Sequence, residues 1–240
     1  MKKNIILLIV SIFLILKPNY SLAIEPDVFI QSTVNRATQT LSGNLTKDER
    51  IQELKNIAIE TVDIDGISLY SLGNYRKTIT DDQLLRYKQV FKDYFLKSFS
   101  SRLAEYSNPE IDVYSKKKIN DKYTIVSSKL IGTDKRPEVN IDWRVYTNDP
   151  KNLLIRDLII EGLSLARTQK EEFASILNSN DGNIDSLFES LEKFYKLKPG
   201  ETLYNSNGDS IFTAPSFDDN LDKYHDFKSK EERFLKGLVK

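Results

Sequence analysis

The sequence of 240 residues contains no cysteine and a single histidine, His225. The absence of cysteine excludes disulfide bonds and thiol chemistry, so the fold must be held together by its core. With one histidine, any metal site would have to be built from carboxylates, and the acidic pairs such as Glu171 and Glu172 lie near helix starts, where a solvated face is expected. Neither a Walker loop nor a dinucleotide-binding glycine pattern is present. These absences predict that the protein has no cofactor.

The sequence also lacks an excess of either charge, since 35 Lys and Arg balance 35 Asp and Glu. The first 23 residues contain three lysines and no acid, so the rest of the chain has 32 basic and 35 acidic residues, a net charge of −3. Nucleic acids and anionic membranes select clustered Lys and Arg. We therefore expect no nucleic-acid partner and no strong electrostatic attachment to a membrane.

One long apolar run is present, at residues 5–16, directly after Lys2 and Lys3. Ser21 and Ala23 place small residues at the two positions that a signal peptidase recognises. The run is shorter than the roughly 20 residues that span a bilayer. The pattern predicts a signal peptide over residues 1–23 that is cleaved after Ala23, with an uncleaved membrane anchor as the alternative.

Helical spacing of apolar residues predicts a group of helices between Asp27 and Tyr106. Two of them begin at capping boxes, one at Thr46 and one at Thr80. The helix that begins at Thr80 is the longest and has an apolar, strongly aromatic stripe, formed by Leu84, Tyr87, Phe91, Tyr94, Phe95, Phe99, Leu103 and Tyr106. Such a stripe is more often ordinary core than a ligand site.

From Ile111 onwards the apolar period changes to two, which predicts four strands, over residues 111–113, 123–131, 139–146 and 153–160. Their connections are short and polar, and short connections favour an antiparallel meander. Two further helices are expected, one after Arg167 and one from Ile184. The strand around Ser127 and Ser128 is unusually small and polar, which is expected where a strand borders a space. The predicted fold class is α+β.

A possible nucleophile lies between the last strand and the next helix. The run from Gly162 through Ser164 to Ala166 is close to the G-x-S-x-G elbow of serine hydrolases, and Asp218 and His225 follow in the chain order of a catalytic triad. However, that elbow belongs to large parallel sheets, and no glycine-rich segment could form an oxyanion hole. We therefore predict that the protein is not an enzyme and that the Ser164 hydroxyl bonds to local backbone.

Residues 156–165, followed by Arg167 and residues 171–173, resemble the V-x-D-V-x-V-E-G-V-S-L…F signature of the MlaC, or toluene-tolerance, family of periplasmic phospholipid-binding proteins. Four other segments match family patterns in the same order, at residues 73–83, 94–106, 139–143 and 188–191. The resemblance covers residues 27–195, and the E-G-x-S-L run is its most specific part. Residues after Lys198 have no counterpart in the family pattern.

The resemblance implies an NTF2-like fold, in which N-terminal helices pack on a curved antiparallel sheet of about four strands and C-terminal helices close an apolar cavity. It implies a periplasmic shuttle that carries phospholipid between an outer-membrane lipoprotein complex and an inner-membrane ABC transporter complex with an MCE-type subunit. Such transport maintains the lipid asymmetry of the outer membrane. The alternatives are a lipid-free periplasmic adaptor and a serine hydrolase that uses Ser164.

On this basis we expect a lipid-binding domain at residues 24–198 and a C-terminal extension at 199–240 that is largely irregular, with a short helix near residues 231–238. One face of the sheet and the facing long helix are predicted to line the acyl cavity. The predicted lining residues are Phe91, Tyr94, Phe95, Phe99, Ile125, Val139, Ile141, Trp143, Val145 and Ile155. For any single one of them, a place in a filled core is an equally good interpretation.

Overall fold

A computed structural model describes residues 24–104, 106, 108–134 and 137–197, together with the backbone of residues 202–204 and 210–213. The predicted signal peptide, Asp218, His225 and the predicted helix near residues 231–238 lie outside these described residues. Within them, no helix is both long enough and apolar enough to cross a membrane.

The N-terminal half is helical, as the apolar spacing predicts. Its helices are α1 (Pro26–Ser42), α2 (Lys47–Thr61), α3 (Ile64–Leu72) and α4 (Asp81–Leu103), with a 3₁₀ turn at Gly73–Lys77 before the last of them. Both predicted capping boxes are confirmed: the side chain of Thr46 accepts from the Glu49 amide, and that of Thr80 from the Gln83 amide. These caps satisfy amides that have no partner within the helix and fix where α2 and α4 begin.

Five antiparallel strands follow in sequential order, β1 (Ile111–Asn120), β2 (Tyr123–Leu130), β3 (Val139–Tyr146), β4 (Leu154–Ile160) and β5 (Leu163–Ser164). The main difference from prediction is β1, which continues seven residues beyond Val113. Those residues include Lys116, Lys117 and Lys118, and they pair with β2 although they lack apolar alternation. Lysines are typical of an edge strand, where they oppose association with other chains.

The connection between β4 and β5 explains the glycine of the E-G-x-S-L run. Ile160 pairs with Leu163, so the turn contains only Glu161 and Gly162, whose φ angles are 49° and 85°. Two left-handed residues in a two-residue hairpin define a type I′ turn, which matches the twist of the strands and favours glycine. Glu161 also ties the turn to β3, because its amide donates to the Asn140 carbonyl at 3.1 Å and its carboxylate accepts from the Asn140 amide.

We expect Gly162→Ala to lower the free energy of unfolding by about 1 kcal/mol, since a left-handed backbone is strained with a Cβ. An added Cβ would meet no heavy atom within 4 Å, so the cost would come from the backbone alone. Urea unfolding followed by circular dichroism measures it. An unchanged unfolding midpoint would contradict the assigned turn.

The C-terminal part of the described chain contains α5 (Leu165–Asn178) and α6 (Ile184–Lys196). After them, β6 (Thr202–Tyr204) and β7 (Ser210–Thr213) pair as an antiparallel hairpin. These two strands lie in the predicted C-terminal extension, where the sequence predicted no strand. Strands of three and four residues are too short for an apolar period to reveal them.

The helices cover the sheet unevenly. Helix α1 packs on β1 and β2, α3 and α5 pack on β4, and α4 packs on α2, α3 and α6. The larger of two hydrophobic clusters joins these layers, and its largest fully buried side chains include Tyr87, Phe91, Phe173, Phe188 and Phe194. The predicted α+β class is therefore confirmed, with helices on an antiparallel sheet of five strands.

Candidate functional site

The strand register defines which side chains of the sheet face the helices. Because directly paired residues of antiparallel strands point to the same side, the pairs of Val126 with Trp143 and of Trp143 with Leu158 share one face. Val126 belongs to the buried cluster with the helices, so we call this side the inner face. It consists of Thr124, Val126, Ser128, Leu130, Val139, Ile141, Trp143, Val145, Ile155, Leu158 and Ile160.

One predicted lining residue, Ile125, is on the wrong face. It pairs with Lys117 of β1 and Arg144 of β3, on the outer side of the sheet. The grouping of Ile125 with the inner residues of β3 was therefore wrong. Ile125 and Val126 are adjacent apolar residues, and the register, which the sequence does not display, gives the inner position to Val126.

The middle of the inner face is less covered than its ends. Val139 and Val145, near the two ends of β3, are 5 % and 0 % exposed. Ile141 and Trp143 between them are only half-buried, as are Leu158 and Ile160 beside them on β4. Helix α1 packs on β1 and β2, and α3 and α5 pack on β4, whereas none of the described helices packs as closely on β3. The four half-buried side chains therefore form a partly open apolar strip. We call it the β3–β4 strip.

Ser128 positions the largest side chain of this strip. The indole nitrogen of Trp143 donates to Ser128 Oγ at 2.8 Å, and Ser128 Oγ in turn donates to the Ile141 carbonyl at 3.2 Å. Ser128 is fully buried, whereas its neighbour Ser127 points outwards and donates to Asp142 at 2.6 Å. The small side chain of Ser128 thus satisfies the polar atom of Trp143 and leaves the faces of its ring for apolar contact.

The aromatic stripe of α4 divides into a buried and a partly open section. Phe91 and Tyr94 are 1 % and 5 % exposed, whereas Phe95 and Phe99 are half-buried at the margin of the same cluster. The rings of Phe91 and Phe95 are 6.1 Å apart and those of Phe95 and Phe99 are 5.7 Å apart, both in stacked orientation. Phe91 and Tyr94 therefore belong to the core, and the rings of Phe95 and Phe99 continue the stack beyond it. We call these two rings the α4 ladder.

A polar relay between α4 and α5 was not identified from the sequence. The Tyr94 hydroxyl donates to Gln169 Oε1 at 2.7 Å, and Gln169 Nε2 donates to Glu172 Oε2 at 2.9 Å. Burial raises the pKa of Glu172 to about 7, against smaller lowering effects of Arg102 and Gln169. Burial also raises the pKa of the Tyr94 phenol. Gln169 lies four residues before the apolar Phe173, so the sequence could have indicated that both are on the same side of α5. For Glu172 the sequence-based prediction was a solvated face.

This carboxyl makes stability depend on pH. An acid whose pKa is higher in the folded than in the unfolded state retains its proton on folding, so stability falls as pH rises from the unfolded to the folded value. For Glu172 these values are 4.5 and about 7, and at about 1.4 kcal/mol per pKa unit the loss amounts to at most about 3 kcal/mol.

We therefore expect Glu172→Gln to stabilise the protein at pH 8 by about 2 kcal/mol and to change stability little at pH 4.5. Urea unfolding of both proteins at the two pH values gives the difference. Glu171→Gln is the matched control, because Glu171 is exposed on the same helix. If both variants showed the same pH dependence, Glu172 would not be the group responsible.

The E-G-x-S-L run forms the start of α5 rather than a nucleophile elbow. Ser164 is the N-cap of that helix, and its hydroxyl accepts from the Arg167 amide at 3.1 Å and donates to Asp157 Oδ2 at 2.6 Å. Asp157 is 3 % exposed and also accepts from the Ala166 amide at 3.0 Å. The expectation that the Ser164 hydroxyl bonds to local backbone is confirmed.

Other candidate sites are weaker. A surface groove of about 430 Å³ follows the polar outer side of α1, past Gln31, Asn35 and Gln39, and contains none of the predicted lining residues. Among the described residues, no group of three or more His, Asp or Glu side chains could hold a metal ion. The β3–β4 strip and the α4 ladder therefore remain the candidate ligand surface.

Comparisons with known proteins agree with this architecture. A sequence profile described as MlaC protein matches residues 31–193. The toluene tolerance protein ttg2D of Pseudomonas putida is 24% identical over 141 residues, which are 55% of this chain and 61% of that protein. The alignment thus spans less than two thirds of that relative.

A solved structure shows the same fold. The phospholipid-binding protein from Ralstonia solanacearum, determined in complex with a phospholipid, superposes with a TM-score of 0.61 at 19% sequence identity. The superposition covers 72% of this chain and 97% of that protein.

Proposed function

Since the chain belongs to the MlaC protein family, we propose that it binds a phospholipid and carries it between membranes. The β3–β4 strip is the observation that carries this proposal. Its half-buried apolar side chains, Ile141, Trp143, Leu158 and Ile160, lie where the helices leave the inner face partly open. Apolar surface that a protein leaves uncovered marks a place for an apolar ligand.

The energetic requirement of such a carrier is burial of acyl chains. Each CH₂ group removed from water contributes about 0.8 kcal/mol, so burying two acyl chains contributes roughly 20 kcal/mol or more, which exposure of the chains to water would forfeit. In our proposal Ile141, Trp143 and Val145 line one side of the acyl site, with Val139 and Ile155 at its ends. Phe95 and Phe99 line the opposite side, backed by Phe91 and Tyr94.

The proposed carrier acts in the periplasm, after export and cleavage behind Ala23. It exchanges lipid with an inner-membrane ABC transporter complex through an MCE-type subunit and with an outer-membrane lipoprotein complex, and so maintains the lipid asymmetry of the outer membrane. Membership of the family supports these roles. The mature N-terminus that we expect is Ile24, and N-terminal sequencing of the secreted protein tests it.

Extraction of the purified protein with organic solvent, followed by lipid mass spectrometry, tests the proposed binding. We expect close to one phospholipid per protein molecule. A protein that contains no phospholipid would contradict the proposal and favour a lipid-free adaptor. Assays on generic esters with the native protein and with Ser164→Ala test the hydrolase alternative, for which activity lost in the variant would be required.

A further inference from the structure

Two opposite charges lie beside the C-terminal half of α4: Arg102 on the helix itself, and Glu172, which is linked to Tyr94 through Gln169. Neither is explained by burial of acyl chains. We propose that Glu172 binds the ammonium group of a zwitterionic phospholipid headgroup while Arg102 pairs with its phosphate, so that the protein prefers ethanolamine-type lipids to anionic ones. This inference rests on the proposed function and assigns the headgroup class of the same site.

The course of α4 indicates where a headgroup lies. Phe91, Phe95, Phe99 and Arg102 are spaced by four, four and three residues, which places them along one side of the helix. Their exposure increases in the same order, from buried Phe91 through half-buried Phe95 and Phe99 to exposed Arg102. An acyl chain that lies along this side therefore leaves its polar end beside Arg102.

Glu172 is held in place but incompletely satisfied. Its Oε2 accepts from Gln169 at 2.9 Å, and Gln169 is itself fixed by the Tyr94 hydroxyl at 2.7 Å. Its other oxygen, Oε1, has no hydrogen-bond partner among the described residues, and no salt bridge joins Glu172 to Arg102 within them. A half-buried carboxylate with one neutral donor lacks the charge-assisted bonds that normally compensate burial.

Burial of the Glu172 carboxylate outweighs the stabilising effect of the Arg102 charge on it. Arg102 of α4 is the nearby positive group and Tyr94 of α4 the nearby ionisable one, and Gln169 contributes only a neutral amide from the same helix as Glu172. Burial raises the pKa of Glu172 to about 7, as is common at functional sites. An ammonium group would offset this burial, whereas an anionic glycerol headgroup would leave it uncompensated.

Arg102 and Glu172 would contribute differently to the choice between zwitterionic and anionic lipids. Arg102 can pair with the phosphate that both lipid classes share, so it contributes affinity without discrimination. Glu172 attracts the ammonium that only the zwitterionic lipid has, and its negative charge opposes a headgroup of net negative charge. Specificity of this kind combines an attractive contact for one ligand with an unfavourable one for the other.

The test loads the delipidated full-length mature protein from vesicles that contain equimolar phosphatidylethanolamine and phosphatidylglycerol with identical acyl chains. Native mass spectrometry at pH 8 then measures the ratio of the two bound lipids. We expect the native protein to favour phosphatidylethanolamine. In Glu172→Gln the ratio should fall roughly tenfold, as loss of one charge-assisted hydrogen bond implies.

Matched variants separate the headgroup role from packing. Glu171→Gln removes the same charge from an exposed neighbour on the same helix, and should keep the native ratio. Glu172→Asp keeps the carboxylate and should retain part of the preference. Arg102→Gln should lower the loading of both lipids without changing their ratio.

Two results would overturn the inference while leaving the proposed function intact. One is a native ratio that Glu172→Gln does not change, and the other is an equal loss of both lipids in that variant, which would mean a packing role. Failure of the native protein to load any lipid would instead overturn the proposed function, and the inference with it. Total loading and the lipid ratio therefore report on the two proposals separately.

Discussion

Purified Ile141→Glu is expected to contain no phospholipid, although the protein remains folded. Ile141 lies on the inner face at the middle of β3, opposite Ser128 and Ile160. It is half-buried and lies in the partly open region of this face. A carboxylate at this position can therefore remain hydrated in the empty protein, which is why folding survives.

Lipid binding should not survive the same substitution. An acyl chain in contact with the new carboxylate would strip it of water, and an unpaired buried charge costs several kcal/mol. Even about 4 kcal/mol lowers affinity roughly a thousandfold. Native mass spectrometry of the purified variant measures the bound lipid, and circular dichroism verifies the fold. Phospholipid retained at the native amount would show that the β3–β4 strip does not contact the acyl chains.

The chain offers a matched control on the neighbouring strand. Ile125→Glu introduces the same charge into the same sheet, but on the outer face, where Ile125 pairs with Lys117 and Arg144. Two flanking cations should accommodate a carboxylate there, so we expect this variant to retain its lipid. The pair of variants thereby tests both the lining and the assignment of the faces.

The contrast between Ile141 and Ile125 shows how far the sequence could predict this site. From Val139 to Val145 polar and apolar residues of β3 alternate without exception, so the sequence alone identified Val139, Ile141, Trp143 and Val145 as one face. In β2 two apolar residues are adjacent, and only the pairing with β3 decides between them. Periodicity within a strand is local information, whereas register depends on the partner strand.

For the helices too, local sequence patterns were predictive and contacts between distant residues were not. Local signals located α2 and α4 because capping boxes are formed by residues three apart in sequence. No local signal located the relay from Tyr94 through Gln169 to Glu172, since Tyr94 and Gln169 are 75 residues apart in the sequence. Glu171 and Glu172 are equivalent in the sequence, and only the packing of α5 against the rest of the protein buries one of them.

Asp157→Ala is expected to destabilise the protein strongly, with a loss of about 3–5 kcal/mol in the free energy of unfolding. The Asp157 carboxylate accepts from the Ser164 hydroxyl and the Ala166 amide, and it lies 3.3 Å from a guanidinium nitrogen of Arg144. Removing a buried carboxylate leaves these donors without their acceptor, which costs more than the bonds themselves contribute. Because small proteins have only about 5–15 kcal/mol of stability, the variant should unfold far more readily.

Three comparisons separate this effect from an ordinary loss of a polar group. Asp142→Ala removes a half-buried carboxylate of the same sheet that accepts from Ser127, and should cost about 1 kcal/mol. Ser164→Ala removes the N-cap of α5 and should also cost about 1 kcal/mol. Asp157→Asn keeps one acceptor oxygen and should fall between these values and the alanine variant, all measured by urea unfolding.

These stability changes also bear on the meaning of the E-G-x-S-L run. Asp157, Gly162 and Ser164 act together to reverse the chain after β4 and begin α5, the helix that carries Gln169 and Glu172. Their substitution should therefore reduce stability while the folded fraction still binds lipid. If Asp157→Ala kept native stability, or if folded Ser164→Ala lost its lipid, the run would have a role in binding beyond holding this helix in place.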